Sequence, residues 1–504
     1  MKILLVCLLL LMWPLDVFAQ ELLGEVVSSA NSAEDPGYRV RIVYLIPSNR
    51  QPQRNAQELL QRYALRVRRF YREEMARLGY KGKTFEFETE NGGTDALVHF
   101  AHVAEPDTSF HDSDYATRFF KILDGITSAG FPPFTQKEVL FVVAETHRQL
   151  EDGRFLESSV FFGGTGSQET GISVVTGETL ARMRSGLLKD DRPYDGLIIP
   201  RIGPFPLVQG VTFPSFEGST LSSTSSSGQG GAMHELGHAF ALPHDLRNDD
   251  NFNGILMGNG FRGFRAVVHP ERYPDDDVRL SSASALQLSV SRFFNPHQTY
   301  TDNTPPIVEI VSSPVVAPTG GLFRVQVRAF DQESSLAALV LVRNGNAVGE
   351  LAVSESAVDT AIDTYDYEPG VTDRWEVIAY DAQGNLAISA PASLTPDTGF
   401  NRAPVPFVSV DKRRLTLSEN VILDASRSFD PDGLASEVLV EWDFNGDGVF
   451  DTPPSLDKTQ ETSFAKPGTY QVVARLTDPS GDSSLSVPIG LRVQQLRSED
   501  QPEP

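Results

Sequence analysis

The residues most able to do chemistry lie at 231–245, GAMHELGHAFALPHD. On a helix, His234 and His238 stand four apart and share one face, so both imidazoles can converge on one ion. Glu235 then lies beside that ion, where a base for an attacking water belongs. His244 follows beyond the expected helix end at Ala241 to Pro243, where a turn can bring in a third nitrogen. Three neutral imidazoles leave one tetrahedral position open, the arrangement of a catalytic zinc site. Met233, Leu236 and Phe240 fall on another face at i, i+3 and i+7 and can seat the helix on a core.

The elements that must position these residues are legible around them. YRVRIVYLI at 38–46 reads as a strand entering a core, followed by a long helix over 54–78 whose apolar face carries Leu59, Tyr63, Val67, Phe70 and Leu78, with Gly79 as its cap. Strand signals recur at 84–88, 97–103 and 138–144, and a helix is expected from Asp112 to about Thr127. The alternation predicts helices packed on a mixed sheet. SSVFFGGTG at 158–166 reads as an edge strand able to line a cleft and pair with an extended substrate. GSTLSSTSSSGQGG at 218–231 is low in complexity and reads as a flexible rim. His99, His102, His111 and His147 have no partner at metal spacing and read as packed or surface histidines. LSSASALQLSVSRFF at 280–294 reads as a last helix, capped by Ser281 or Ser282 and stopped by Pro296.

The 231–245 stretch resembles the metzincin metallopeptidases, whose motif is HExxHxxGxxH followed by a Met-turn. That resemblance implies His234, His238 and His244 as zinc ligands, Glu235 as general base and Met257, in GILMGNG, as the Met-turn methionine. Asp245 after the third histidine is similar to the structural aspartate of the adamalysin branch. Two departures stand out. Ala241 occupies the family's glycine position, where a left-handed backbone costs an alanine on the order of 1 kcal/mol. No tyrosine closely follows Met257, so Tyr273 is the nearest candidate for the family's transition-state tyrosine.

The rest of the 504-residue chain divides by composition. Residues 1–19 carry one lysine, the apolar run ILLVCLLLLMW and Ala19, and read as a cleaved secretory signal. Pro14 and Asp16 break that run too early for a stable membrane span. Cys7, the only cysteine, lies inside it, so the mature chain is expected to hold neither disulfides nor a thiol nucleophile. A net charge of −24 argues against nucleic acid as a partner. Residues 20–36 form a short polar segment, and 37–298 the expected metzincin-like catalytic domain. Past the TDNTPP linker, 306–396 shows short alternating runs such as FRVQVRAF and RWEVIAYD, a β-sandwich signature that resembles bacterial immunoglobulin-like repeats and reads as a spacer. Residues 405–494 carry LDASRSFDPDG, VEWDFNGDGVFD and KPGTYQVVARLTDPSG, which resemble the PKD sandwich. Within them Asp443, Asn445, Asp447 and Asp451 alternate around Gly448 like a calcium loop. Asn248, Asp249, Asp250, Asn251 and Asn253 form a second acidic loop considered for calcium, and 495–504 reads as a disordered tail.

The expectation is a multidomain protein: an α/β (α+β) metzincin-like domain followed by two all-β sandwiches. It would be a secreted or cell-envelope zinc endopeptidase acting on protein or peptide by Glu-assisted attack of a zinc-bound water. The PKD-like module would serve an extracellular polymer or cell surface. The rival readings are a zinc hydrolase of cell-wall or glycan material and a non-enzymatic surface adhesion protein with a relic metal site. No GxSxG elbow favours a serine hydrolase.

Overall fold

The computed structural model describes residues 37–90, 93–149, 156, 162–193, 220–247, 252–316, 318, 322–397, 401–431 and 433–494. The expected signal, the polar segment after it, the acidic residues 248–251 and the C-terminal tail lie outside these. No helix of the described residues is long and apolar enough to cross a membrane.

The first unit is built on β1 (Arg39–Ile46), α1 (Ala56–Arg77), β2 (Val98–His102), α2 (Tyr115–Ser128), β3 (Glu138–Ala144), β4 (Phe162–Gly166) and β5 (Thr170–Thr176). These strands form one sheet in the order β2-β1-β3-β5-β4. Its first four strands run parallel, and β4 lies antiparallel at the edge. Alternation along β1 divides two cores: Val40, Ile42, Tyr44 and Ile46 face the layer of α1, whereas Val43 and Leu45 face Phe119, Ile122 and Ile126 of α2. Residues 84–88, expected as a strand, make only a bridge from Phe87 to Val40. The reason is register: β2 takes that edge of β1 from Ile42 onward, leaving room only at the strand's start. Helix α1 ends where Gly79, at φ 96°, turns the chain and the Tyr80 amide bonds back to the Met75 carbonyl at 2.8 Å.

A short α3 (Gly177–Arg182) leads on to α4 (Leu221–Ala239). Helix α4 begins at Leu221, twelve residues before Met233 opens its apolar face, and the serine-rich stretch from 221 is its first half rather than a flexible rim. A capping box starts it, with Thr220 Oγ1 accepting from the Ser223 amide at 3.1 Å and Ser223 Oγ accepting from the Thr220 amide at 2.9 Å. Every residue from Ser222 to His234 is buried, so small side chains are what let neighbours close around the helix. Its far end rests on Tyr71, Phe85, Phe240, Phe293 and Phe294, aromatic rings whose burial contributes about 1.5–3 kcal/mol each. The unit closes with β6 (Asn253–Ile255), α5 (Phe264–Val268), β7 (Asp277–Arg279) and α6 (Ser282–Val290). Ser281 caps α6, accepting from the Ser284 amide at 3.1 Å.

Two β-sandwiches follow. In the first, β8 (Ile307–Ile310), β10 (Phe323–Phe330) and β13 (Ala357–Thr364) face a sheet in the order β12-β11-β14-β16-β9. Here β9 is Val315–Val316, β11 Leu336–Arg343, β12 Asn346–Ala352, β14 Asp373–Asp381 and β16 Ala392–Pro396. Trp375, Phe323 and Leu341 fill the space between. In the second, a three-stranded sheet faces a larger one around Trp442, Val472 and Leu491.

The first sandwich packs directly against the first unit. Ala283 and Leu286 of α6 are buried against Ala338, Val340 and Val342 of β11, with Ala347, Ile378 and Tyr380 completing the patch. The second touches the first unit through polar groups, with Arg413 reaching Asp277 at 3.1 Å and Asn253.

Candidate metal centre

The end of α4 places the chemistry. His234 Nε2 lies 3.1 Å from His238 Nε2 and 3.3 Å from His244 Nε2, and the last two are 3.1 Å apart. The first two rings are fixed from behind. Nδ1 of His234 meets the Leu256 carbonyl at 2.7 Å, and Nδ1 of His238 meets the Leu242 carbonyl at 2.8 Å. A carbonyl only accepts, so each Nδ1 carries the proton and each Nε2 presents a lone pair. Burial, with the neighbouring His238 second, lowers His234 to about 3. Burial, opposed by the bond to the Leu242 carbonyl, takes His238 to about 4, and burial with both neighbours holds His244 well below the usual value. The rings are therefore neutral.

Three ring nitrogens at this separation, two of them presenting lone pairs, crowd one another unless a proton or a cation lies between them. Metal–nitrogen bonds of 2.0–2.1 Å at a tetrahedral centre set nitrogens about 3.3 Å apart, which matches the spacing here. The cluster fits a metal with an all-imidazole preference.

His244 reaches the cluster through a tight helix exit. Phe240 ends α4, Ala241 takes the left-handed backbone at φ 65°, and the Leu242 amide bonds back to the Gly237 carbonyl at 3.1 Å. The turn thus keeps the geometry usual for glycine, with an alanine bearing the strain. Beyond it the His244 carbonyl accepts the Ala347 amide at 2.7 Å, so the backbone that carries the third ring is held by the free edge of β12 in the first sandwich. Asp245 is fully buried, chelated by the Arg247 guanidinium at 2.7 and 3.0 Å, and Arg247 continues to Glu350 at 2.8 Å. The Met257 carbonyl accepts the Asp245 amide at 3.1 Å, and the Met257 sulfur lies where a side chain on Gly237 would go.

Glu235 keeps partial access to solvent, but its carboxyl is surrounded by protein, and burial pushes it up to about 8. Two residues sequence reasoning did not single out stand at the site, one near Glu235 and one against His234. Tyr115, at the start of α2, is close enough for the Glu235 charge, after burial, to raise its hydroxyl, which donates to the Phe162 carbonyl of β4. Phe261 sets its ring edge-on to His234 at 5.2 Å. Neither has a short-range sequence signal, because both arrive from distant elements. The glycines of β4 do carry one. A side chain on Gly164 would overlap the Glu235 carbonyl, and one on Gly166 or Gly171 the Ala239 carbonyl. FGGTG therefore lets the edge strand lie directly on the helix that holds the histidines.

The remaining candidates lie elsewhere. Tyr273 bonds Ser222 at 2.8 Å and Asp191 at 3.0 Å, near the start of α4. That is about 18 Å along the helix from His234, so it is not the sought tyrosine. His99 bonds Glu88 at 2.6 Å, His111 meets the Thr146 carbonyl at 2.7 Å, and His147 packs near Glu145. In the second sandwich Asp443 accepts the amides of Asn445, Gly446 and Gly448 at 2.7–3.1 Å, Asp447 that of Val449 at 2.8 Å, and Asp451 that of Phe444 at 2.7 Å. A hydrogen-bonded turn accounts for these residues.

No protein-family profile matches the chain. Among solved structures, OgpA from Akkermansia muciniphila, as a catalytically inactive form with an O-glycopeptide substrate, is 15% identical, covering 73% of this chain and 95% of that one with a TM-score of 0.49. The PKD1 domain of the Vibrio cholerae metalloprotease PrtV is 27% identical over 18% of this chain and 96% of that one, with a TM-score of 0.14. The PKD1 domain of Vibrio anguillarum Epp is 24% identical over 19% and 100%, with a TM-score of 0.15.

Proposed function

We propose that the chain is a zinc-dependent endopeptidase of metzincin type, with His234, His238 and His244 as ligands and Glu235 as general base. The observation that carries the reading is the set of three mutually facing Nε2 atoms, 3.1–3.3 Å apart, with a carboxyl group on the adjacent residue of the same helix. When bound, zinc supplies Lewis acidity toward a peptide carbonyl and a water molecule, together with a positive charge that favours ionised Glu235. Glu235 accepts a proton from the attacking water at a carboxylate oxygen. The water oxygen bonds to the carbonyl carbon, and Glu235 returns the proton to the leaving amide nitrogen as the C–N bond breaks. The outer edge of β4 gives an extended peptide a row of backbone groups to pair with, and Phe162 sits there with its carbonyl anchored by Tyr115.

Elemental analysis and digestion of a mixed peptide library test this together on wild type and Glu235→Gln. About one zinc per chain in both, with new peptide ends only from wild type, is expected. Metal in both proteins and no new ends from either would remove the peptidase reading. Undiminished cleavage by Glu235→Gln would remove the base.

A further inference from the structure

The buried acidic group made by Asp302, Asp331 and Asp381 has no part in the chemistry above. Asp302 lies in the connector after α6, Asp331 follows the last residue of β10, and Asp381 is the last residue of β14. One carboxylate oxygen from each lies within 4.8 Å of the others, and the residues are 4%, 3% and 0% exposed. Three negative charges sharing such a space repel strongly in a medium poor in water.

Hydrogen bonds neutralise only part of the group. Asp331 Oδ1 accepts the amides of Glu333 at 3.0 Å and Ser334 at 2.6 Å. Asp381 Oδ1 accepts those of Gln383 at 2.9 Å and Asn385 at 2.8 Å, and its Oδ2 takes the Asn385 side chain at 2.7 Å. Asp302 Oδ1 accepts the Thr304 amide at 2.8 Å, but its Oδ2 is buried without any partner. Arg292 approaches this corner yet gives its Nη2 protons to the Asp302 carbonyl at 3.0 Å and to Asn385 Oδ1 at 2.5 Å, and its ion pair is with Glu169 rather than with any of these three carboxylates. Among the described residues no lysine or arginine pairs with any of the three. An unpartnered oxygen this deep, on a carboxylate grouped with two more buried ones, calls for a cation.

We propose that Asp302, Asp331 and Asp381 form a calcium site fastening the first sandwich to the unit that carries the histidines. The donors are all hard oxygens, which select calcium or magnesium over zinc. Oxygens within 4.8 Å of one another are within reach of calcium–oxygen bonds of 2.3–2.6 Å, and calcium's flexible coordination suits donors from three separate elements, whereas magnesium demands near-ideal octahedral geometry. Three carboxylates in an extracellular module fit dissociation constants of order 0.1–1 mM. The connector contributes one ligand and two strand ends of the sandwich the others, so the ion closes the junction rather than an active site.

The full chain, kept in micromolar zinc and freed of calcium, is titrated with CaCl2 by calorimetry and followed by thermal unfolding. Wild type is expected to bind calcium and to unfold several degrees higher at millimolar concentration, with a smaller shift from magnesium. Asp302→Asn and Asp381→Asn should weaken binding at least tenfold, whereas Asp447→Asn in the second sandwich should leave it unchanged. Asp302→Asn decides the matter if Asp381→Asn does not fold, since Oδ2 of Asp302 makes no bond that the fold depends on. Absence of calcium binding by wild type would overturn the site. So would wild-type affinity in Asp302→Asn, or loss of binding in Asp447→Asn alone, which would assign the ion to the other loop.

Discussion

Ala241 shows how much a single backbone angle is asked to do. His238 and His244 are six residues apart, and they meet only because the chain reverses at Ala241 in the left-handed region. An alanine there pays a steric cost that glycine avoids, partly offset by glycine's larger entropy when unfolded. Ala241→Gly is expected to stabilise the protein by about 0.5–1 kcal/mol in denaturant titration, with metal affinity unchanged. A destabilised variant would show that the alanine methyl packs to advantage. His244→Ala should reduce metal affinity at least tenfold in competition with a chelator, since two imidazoles cannot hold the ion as three do. Helical spacing makes His234, Glu235 and His238 readable from sequence, and the left-handed turn is foreseeable because the chain must leave the helix before His244. Tyr115 and Phe261 were not readable. Tyr115 lies more than a hundred residues before Glu235 and Phe261 more than twenty after His234, and no local period encodes such meetings.

At the scale of elements, α4 and β4 form a pair that neither shows alone. Ser-rich composition reads as a linker because serine has no helix preference of its own, yet here burial on all sides overrides propensity. Small side chains were the signal, and what they signalled was close packing. Ser226 Oγ, for example, both donates to the Arg262 carbonyl and accepts the Arg265 amide at 2.7 Å, an arrangement only a tertiary contact explains. The same holds for FGGTG, whose glycines let β4 approach the carbonyls of Glu235 and Ala239. A methyl group at position 164 has no room, so the strand or the helix must move. Gly164→Ala is expected to cost about 1–3 kcal/mol in stability. It should also lower turnover more than it lowers metal content, because the closest overlap is with the Glu235 carbonyl, and the Cβ of His238 is met less closely at 3.1 Å. Equal losses of metal and turnover would mean that the strand merely supports the site.

At the scale of the whole molecule, the two sandwiches are attached by different physics, and the difference makes a prediction. The first buries Val340, Val342, Ile378 and Tyr380 on α6, lends the Ala347 amide to the His244 carbonyl and pairs Glu350 with Arg247, which grips buried Asp245. Alternation predicted a sandwich from 306 onward but could not say what its outer face meets, since β11 is apolar on both faces and a spacer of that kind would be insoluble. The second reaches the first unit through Arg413 and little apolar surface, the kind of contact that leaves domains separable. A chain ending at residue 397 should therefore keep its metal affinity and cleave small peptides within about threefold of the full protein, as each 1.4 kcal/mol lost would cost tenfold. A chain ending at residue 298 should expose the patch around Leu286, lose the strand that pairs with His244, and bind metal at least tenfold more weakly or aggregate. Glu350→Gln in the full chain separates the two causes. It leaves the apolar patch intact and weakens only the hold on Arg247, so a modest fall in metal affinity with unchanged solubility is expected. Full metal affinity and activity in a soluble chain ending at 298 would return the first sandwich to the role of a spacer.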